Sequence, residues 1–169
     1  MTLSLTLNSA AERTARELAA HLHAGQSWGP FPYLEHLDRV YACLAEACQE
    51  DALKVAAYLH DALEDTAVTR SELDAQFGSE VGRLVDAVSG FGPTRDAKQR
   101  CIVAKLRAYP KATPLKMADR IVNMQLCIDI GHLSLLTRYR QEDLEPGYGE
   151  LFRHGPEALR RRYEALLGA

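Results

Sequence analysis

A chain of 169 residues is long enough for one domain built around one sizeable core. With 47% hydrophobic and 25% charged residues it has the make-up of an ordinary globular protein, and a formal net charge of -3 offers no bulk attraction to nucleic acid or to an anionic membrane. The opening "MTLSLTLNSAAERTAREL" has neither the basic start of a secretory signal nor a long apolar run, so the pattern predicts no membrane span.

Helical periodicity runs through the chain. Ala11, Ala15, Leu18, Ala19 and Leu22 recur every three or four residues, which predicts a helix over 10–22 capped by Asn8 or Ser9. Gly25, Gly29, Pro30 and Pro32 then break regular structure in "HAGQSWGPFPY". Helices are predicted over 36–49, 51–63, 69–77 and 80–88. In "TRSEL" and "GSEVGRL" a hydroxyl precedes an acidic residue, as at many helix starts. A second glycine-proline loop, "SGFGPTRD", leads to helices over 98–108, 115–128, 132–140 and 156–167, the last with proline at its start. No alternating strand pattern stands out. The fold class is therefore all-α, a single domain of roughly eight to ten helices. Cys43, Cys48, Cys101 and Cys127 form no CxxC pair and read as free thiols of a cytoplasmic protein.

Three segments carry polar residues where a buried helix should have none. "AAYLHDALEDTAVT" places His60, Asp61, Glu64 and Asp65 after an almost wholly apolar run. On a continuous helix His60 would stack over Glu64, and Asp61 over Asp65. "LKMADRIVNM" holds Lys116, Asp119, Arg120 and Asn123, and "PYLEHLDRV" holds His36. Unpaired buried charge costs several kcal/mol, about the scale that a counter-ion removes. A divalent transition ion would account for all three segments, because mixed imidazole and carboxylate donors suit manganese, iron or zinc better than calcium. Two imidazoles and two carboxylates would leave positions for water and a substrate oxygen.

"HAGQ" at 23–26, "PYLEH" at 32–36, "LHDALEDT" at 59–66, "LVDAVSG" at 84–90 and "KMADRIVNM" at 116–124 stand in an order and spacing that is familiar. Over about residues 15 to 130 the chain resembles the HD-domain metal-dependent phosphohydrolases, and within them the hydrolase domain of RelA/SpoT-like alarmone enzymes. The resemblance implies a helical HD bundle with a buried metal site. It implies His36, His60, Asp61 and Asp119 as ligands, usually for Mn²⁺, and Glu64 and Asp65 as the acidic pair that orients or deprotonates the attacking water. Lys116 and Asn123 would support the site or touch substrate phosphate. Without a metal, the same lysine and Arg120 are plain ion-pair partners for nearby acids, and "RYRQED" at 138–143 is a packed or solvated helix.

The chain departs from that family at two places. Alarmone hydrolases usually carry a basic pair between "GQ" and "PY"; here the loop offers Ser27 and Trp28. Where "NMRT" is common, this chain has Gln125 and Leu126. Trp28 either stacks on a flat part of the substrate or packs against Phe31 and Tyr33. Cations for phosphate would have to come from Arg95, Lys98 or Lys105, and Lys98 joins Trp28, Lys116 and Asn123 as a substrate-binding candidate. The length matches small stand-alone hydrolases. The expected activity is metal-dependent hydrolysis of a small phosphorylated nucleotide, with removal of the 3′-pyrophosphate of ppGpp as the narrow version. Another nucleotide or cofactor such as NADPH, or a non-catalytic nucleotide sensor, is the alternative.

Overall fold

The computed structural model describes residues 9–48, 50–144 and 147–168. The cap candidate Asn8 and the helix end at Gln49 lie outside the described residues. In chain order the elements are α1 (Ala10–Leu22), β1 (Ser27–Trp28), β2 (Phe31–Pro32), α2 (Tyr33–Ala47), α3 (Asp51–Leu59), α4 (Ala62–Asp65), α5 (Arg70–Phe77) and α6 (Ser79–Val88). They continue with α7 (Arg95–Ala108), a 3-10 turn (Pro110–Ala112), α8 (Thr113–Asp129), α9 (Leu133–Leu144), α10 (Tyr148–Phe152) and α11 (Glu157–Gly168).

Local chemistry explains most boundaries. Ser9 accepts the Glu12 N–H at 3.1 Å to start α1. Thr69 and Glu72 exchange side-chain-to-backbone bonds in a full capping box at α5. Thr94 accepts the Ala97 N–H, so α7 begins at Arg95, three residues earlier than periodicity alone predicts. The expected cap at Ser79 does not form. Gly78, at φ 88°, joins α5 directly to α6, and Ser79 is already helical.

α3 is the buried axis. Leu53 through Leu59 are all buried, and the helix packs on α1, α2 and α6. α8 lies against α2 and α11 and buries Leu115, Met117, Ile121 and Met124. Each fully buried side chain of this size contributes roughly 1.5–3 kcal/mol relative to exposure. Two corrections bear on the site. The predicted 51–63 helix is two helices, because α3 ends at Leu59 and the chain turns at His60 and Asp61 before α4. The "SWGPF" break is a two-stranded hairpin, with Ser27 opposite Pro32, Trp28 opposite Phe31, and Gly29 turning at φ 56°.

Candidate metal centre

The turn after α3 aims polar groups that a straight helix would have spread along one wall. The Asp61 carbonyl accepts both Glu64 N–H (3.1 Å) and Asp65 N–H (3.0 Å). His60 is buried, and its Nδ1 donates to the Ala57 carbonyl at 2.8 Å. When the ring is neutral, Nε2 is thereby the unprotonated nitrogen, and it has no hydrogen-bond partner among the described residues. It faces Asp61 Oδ2 at 2.9 Å and Asp119 Oδ1 at 3.6 Å. His36, buried on the first turn of α2, points Nε2 at the same oxygens, 3.7 Å from Asp61 and 3.5 Å from Asp119. His36, His60 and Asp119 each present a donor atom, all within 4.8 Å of one another.

These residues fit a divalent ion. An orphaned imidazole nitrogen, a second buried imidazole and two carboxylates converge with no other cation between them. Each carboxylate is held by a partner outside the cluster. Tyr33 Oη donates to Asp61 Oδ2 at 2.6 Å. Lys116 Nζ donates to Asp119 Oδ2 at 2.7 Å, and Asn123 Nδ2 donates to Oδ1 at 2.5 Å. Such outer partners orient ligands and raise their affinity for metal. Electrostatics agree with the need for positive charge. Burial works against the Asp119 carboxylate, but Lys116 and His60 outweigh it and hold its pKa below the usual range. For His60 burial pulls down, yet Asp61 and Asp119 outweigh it and raise the pKa well above the ordinary imidazole value.

The cluster opens into a cavity of about 230 Å³. Of the acidic pair, Glu64 lines it and Asp65 does not. Glu64 Oε1 accepts the Gly90 N–H at 2.7 Å, and Oε2 lies 3.4 Å from Lys98 Nζ. Gly90 is required there, since an added Cβ would lie 2.7 Å from the Lys98 carbonyl oxygen. Asp65 is exposed; burial and then the nearby Asp61 and Glu64 charges raise its pKa. Among the substrate candidates, Trp28, Lys98, Lys116 and Asn123 all line the cavity. Trp28 does so with its indole N–H bonded to Asn123 Oδ1 at 2.8 Å. Arg95 also lines the cavity, whereas Lys105 is committed to Asp86 and the Ser89 carbonyl.

Several cavity residues escaped the sequence reading. Tyr33 stood inside "PYLEH", but nothing in its spacing announced a bond to Asp61. Tyr139 and Glu142 line the cavity too, beside Arg120, which the sequence offered as an ion-pair partner for nearby acids. Arg120 is buried and pairs with Glu142 at 3.1 Å and Asp143 at 3.4 Å, so "RYRQED" is part of the site wall. His23, beside the loop, stacks on Tyr33 at 4.8 Å, and its Nδ1 lies 2.7 Å from Gln26 Oε1. Gln26 Nε2 in turn donates to the Asp65 carbonyl at 3.0 Å.

Known proteins share this fold or parts of this sequence. The solved structure of a metazoan SpoT ortholog described as hydrolysing ppGpp superposes with a TM-score of 0.80 at 19% identity, covering 97% of each chain. A Listeria monocytogenes structure, lmo0812, gives 0.62 at 24% identity, over 80% of this chain and 93% of that one. A Vibrio cholerae guanosine-3′,5′-bis(diphosphate) 3′-pyrophosphohydrolase is 36% identical over 122 residues, which is 67% of this chain and 17% of that protein. A probable GTP pyrophosphokinase of Mycobacterium leprae is 37% identical over 119 residues, 66% of this chain and 15% of that protein. The chain thus spans about a sixth of the length of these two relatives. The HD domain family matches residues 15–131, a span that contains the whole imidazole–carboxylate cluster. On that match, and on the helical fold that carries it, the chain belongs to the HD-domain family.

Proposed function

We propose that this chain is a metal-dependent phosphohydrolase that removes the 3′-pyrophosphate of ppGpp or a related guanine nucleotide. The observation that carries the reading is the buried cluster of His36, His60, Asp61 and Asp119 at the floor of a cavity walled by Glu64 and cationic side chains. The names of the relatives support the substrate class. We read residues 1–169 as one such domain. We also read it as a cytoplasmic enzyme, on the four free cysteines.

Manganese is the proposed ion, held by His36, His60, Asp61 and Asp119; when bound it supplies Lewis-acid polarisation of the phosphoryl oxygen and a more acidic water. The protein's own residues do the rest. Lys116 and Asn123 hold the two Asp119 oxygens. Tyr33 holds Asp61. Glu64, fixed by the Gly90 N–H, orients a water and takes its proton as the water oxygen bonds to phosphorus. The bond from phosphorus to the 3′-oxygen breaks, and that oxygen leaves with a proton from solvent. Lys98, with Arg95, offsets the charge on the departing pyrophosphate.

One observation favours a second substrate. The hairpin presents Trp28 and no cation, which suits a less charged phosphate ester such as the 2′-phosphate of NADPH. The test is phosphate and pyrophosphate release in Mn²⁺ from ppGpp, pppGpp, NADPH and common deoxynucleotides. Pyrophosphate released from ppGpp supports the first reading, and phosphate released from NADPH alone supports the second. No turnover of any of them, with metal bound, would leave a nucleotide sensor and reject both.

A further inference from the structure

Four cationic side chains line the cavity, Arg95, Lys98, Lys116 and Arg120, and each faces a carboxylate of the protein itself. Lys116 is committed to Asp119 and Lys98 approaches Glu64. The two guanidiniums share Glu142. Arg120 donates Nη1 to Glu142 Oε2 at 3.1 Å, and Arg95 donates Nη2 to the same oxygen at 3.2 Å and Nε to Oε1. Gln99 Nε2 donates to the Glu142 carbonyl at 3.1 Å, which ties α7 to α9 at this point.

The two arginines differ in freedom. The Arg120 side chain is 6% exposed and has a second carboxylate, Asp143, so it stays neutralised if Glu142 turns away. The Arg95 side chain is 51% exposed and sits on the first turn of α7. Glu142 is the one carboxylate paired with Arg95 among the described residues, and the ring of Tyr139 lies beneath its guanidinium at 5.3 Å. A planar guanidinium binds carboxylate and phosphate by the same two-pronged geometry. The two anions therefore compete for it.

We propose that Arg95 is a specificity-determining residue that reads the charge of the phosphate group, and that Glu142 sets how much charge is needed to engage it. Glu142 holds Arg95 in reserve, and only a phosphate group with enough negative charge takes the guanidinium from it. A diphosphate does so and a monophosphate ester does not. This rests on the phosphohydrolase reading above and extends it, because it makes the charge of the phosphate group transferred to water, not the base, the quantity that the cavity wall measures. It also gives "RYRQED" a task beyond packing.

The test uses the purified full chain loaded with Mn²⁺ and calorimetric binding of two probes, inorganic pyrophosphate and orthophosphate. Glu142→Gln keeps the shape and removes the charge, and should tighten pyrophosphate by about five- to tenfold while changing orthophosphate by less than about twofold. In Glu142→Gln/Arg95→Ala the gain should vanish, an outcome that a merely structural role for Glu142 does not produce. Equal effects on the two probes, or a gain that survives loss of Arg95, would overturn the proposal. Arg95 is exposed enough for Arg95→Ala to fold even if Glu142→Gln does not. Alone it should weaken pyrophosphate more than orthophosphate, and equal weakening or none also overturns the filter. Binding is read without turnover. An inactive protein that still shows the Arg95-dependent difference would sink the hydrolase reading and leave the charge filter standing.

Discussion

The Trp28 indole N–H donates to Asn123 Oδ1 at 2.8 Å, and through it the hairpin reaches the imidazole–carboxylate cluster. An indole nitrogen can only donate, so the Asn123 carboxamide must turn its oxygen to Trp28 and its nitrogen to Asp119 Oδ1. Trp28 also stands opposite Phe31, one of the two packing partners expected for it, in the hairpin. The ring that replaces the family's basic pair fixes the rotamer of a group that touches a candidate ligand. Trp28→Phe keeps the ring and removes the donor. Asn123→Ala should weaken Mn²⁺ binding by about 10–100-fold, the usual scale for such outer partners, and Trp28→Phe by a smaller factor. The double variant should bind like Asn123→Ala alone. Calorimetry checks this, and fully additive losses would mean that Trp28 acts by some other route.

Asp61→Ala should remove bound metal and activity together. Its carboxylate lies 2.9 Å from His60 Nε2 and is held by Tyr33. Elemental analysis of the purified variant is the measurement, and full metal occupancy would reject Asp61 as a ligand. Tyr33→Phe should keep the metal with weaker affinity, since it removes only the hydrogen bond to Oδ2.

Glu64 and Asp65 should separate in their effects. Glu64 lines the cavity and accepts from Gly90, whereas Asp65 is exposed and off the cavity wall. Glu64→Gln should retain metal and lose on the order of a hundredfold or more in kcat. Asp65→Asn should lose less. Steady-state kinetics on the substrate that the release screen identifies decides the order, and the reverse order would move the water-positioning role to Asp65.

Stability should fall between about pH 4 and pH 6, in part through Asp143. Burial, opposed by Arg120, pushes this carboxyl up to about 6. Its ordinary value is about 3.9. The folded state therefore holds the proton more tightly than the unfolded one. The stabilisation is complete below the unfolded pKa and is lost as pH rises through the folded one. About two pH units correspond to roughly 2–3 kcal/mol. Asp143→Asn should flatten the slope of denaturant midpoint against pH in this window relative to the parent chain. Parallel curves would show that other groups carry it.

Much of this protein is legible without a structure. Periods of three and four residues, the Ser9 and Thr69 hydroxyls and the glycine-proline loops locate the helices, because a helix is decided largely by neighbours within one or two turns, although the Thr94 cap that starts α7 three residues early went unread. Polar residues stranded in apolar segments mark the stretches around His36, His60 and Asp119, because burial makes such residues costly without a partner, and the family resemblance singles out His36, His60, Asp61 and Asp119 within them. What depended on tertiary packing was the aim of each group. The chain turns at His60 and Asp61, which sends Glu64 to Gly90 and leaves Asp65 outside, and no local propensity distinguishes that turn from a continued helix. Tyr33, Trp28 and Glu142 meet Asp61, Asn123 and Arg95 across 28, 95 and 47 positions of sequence. Hydrogen bonds over such separations exist only once α2, α7, α8 and α9 have packed, since side-chain direction is set by the backbone frame that the core holds in place.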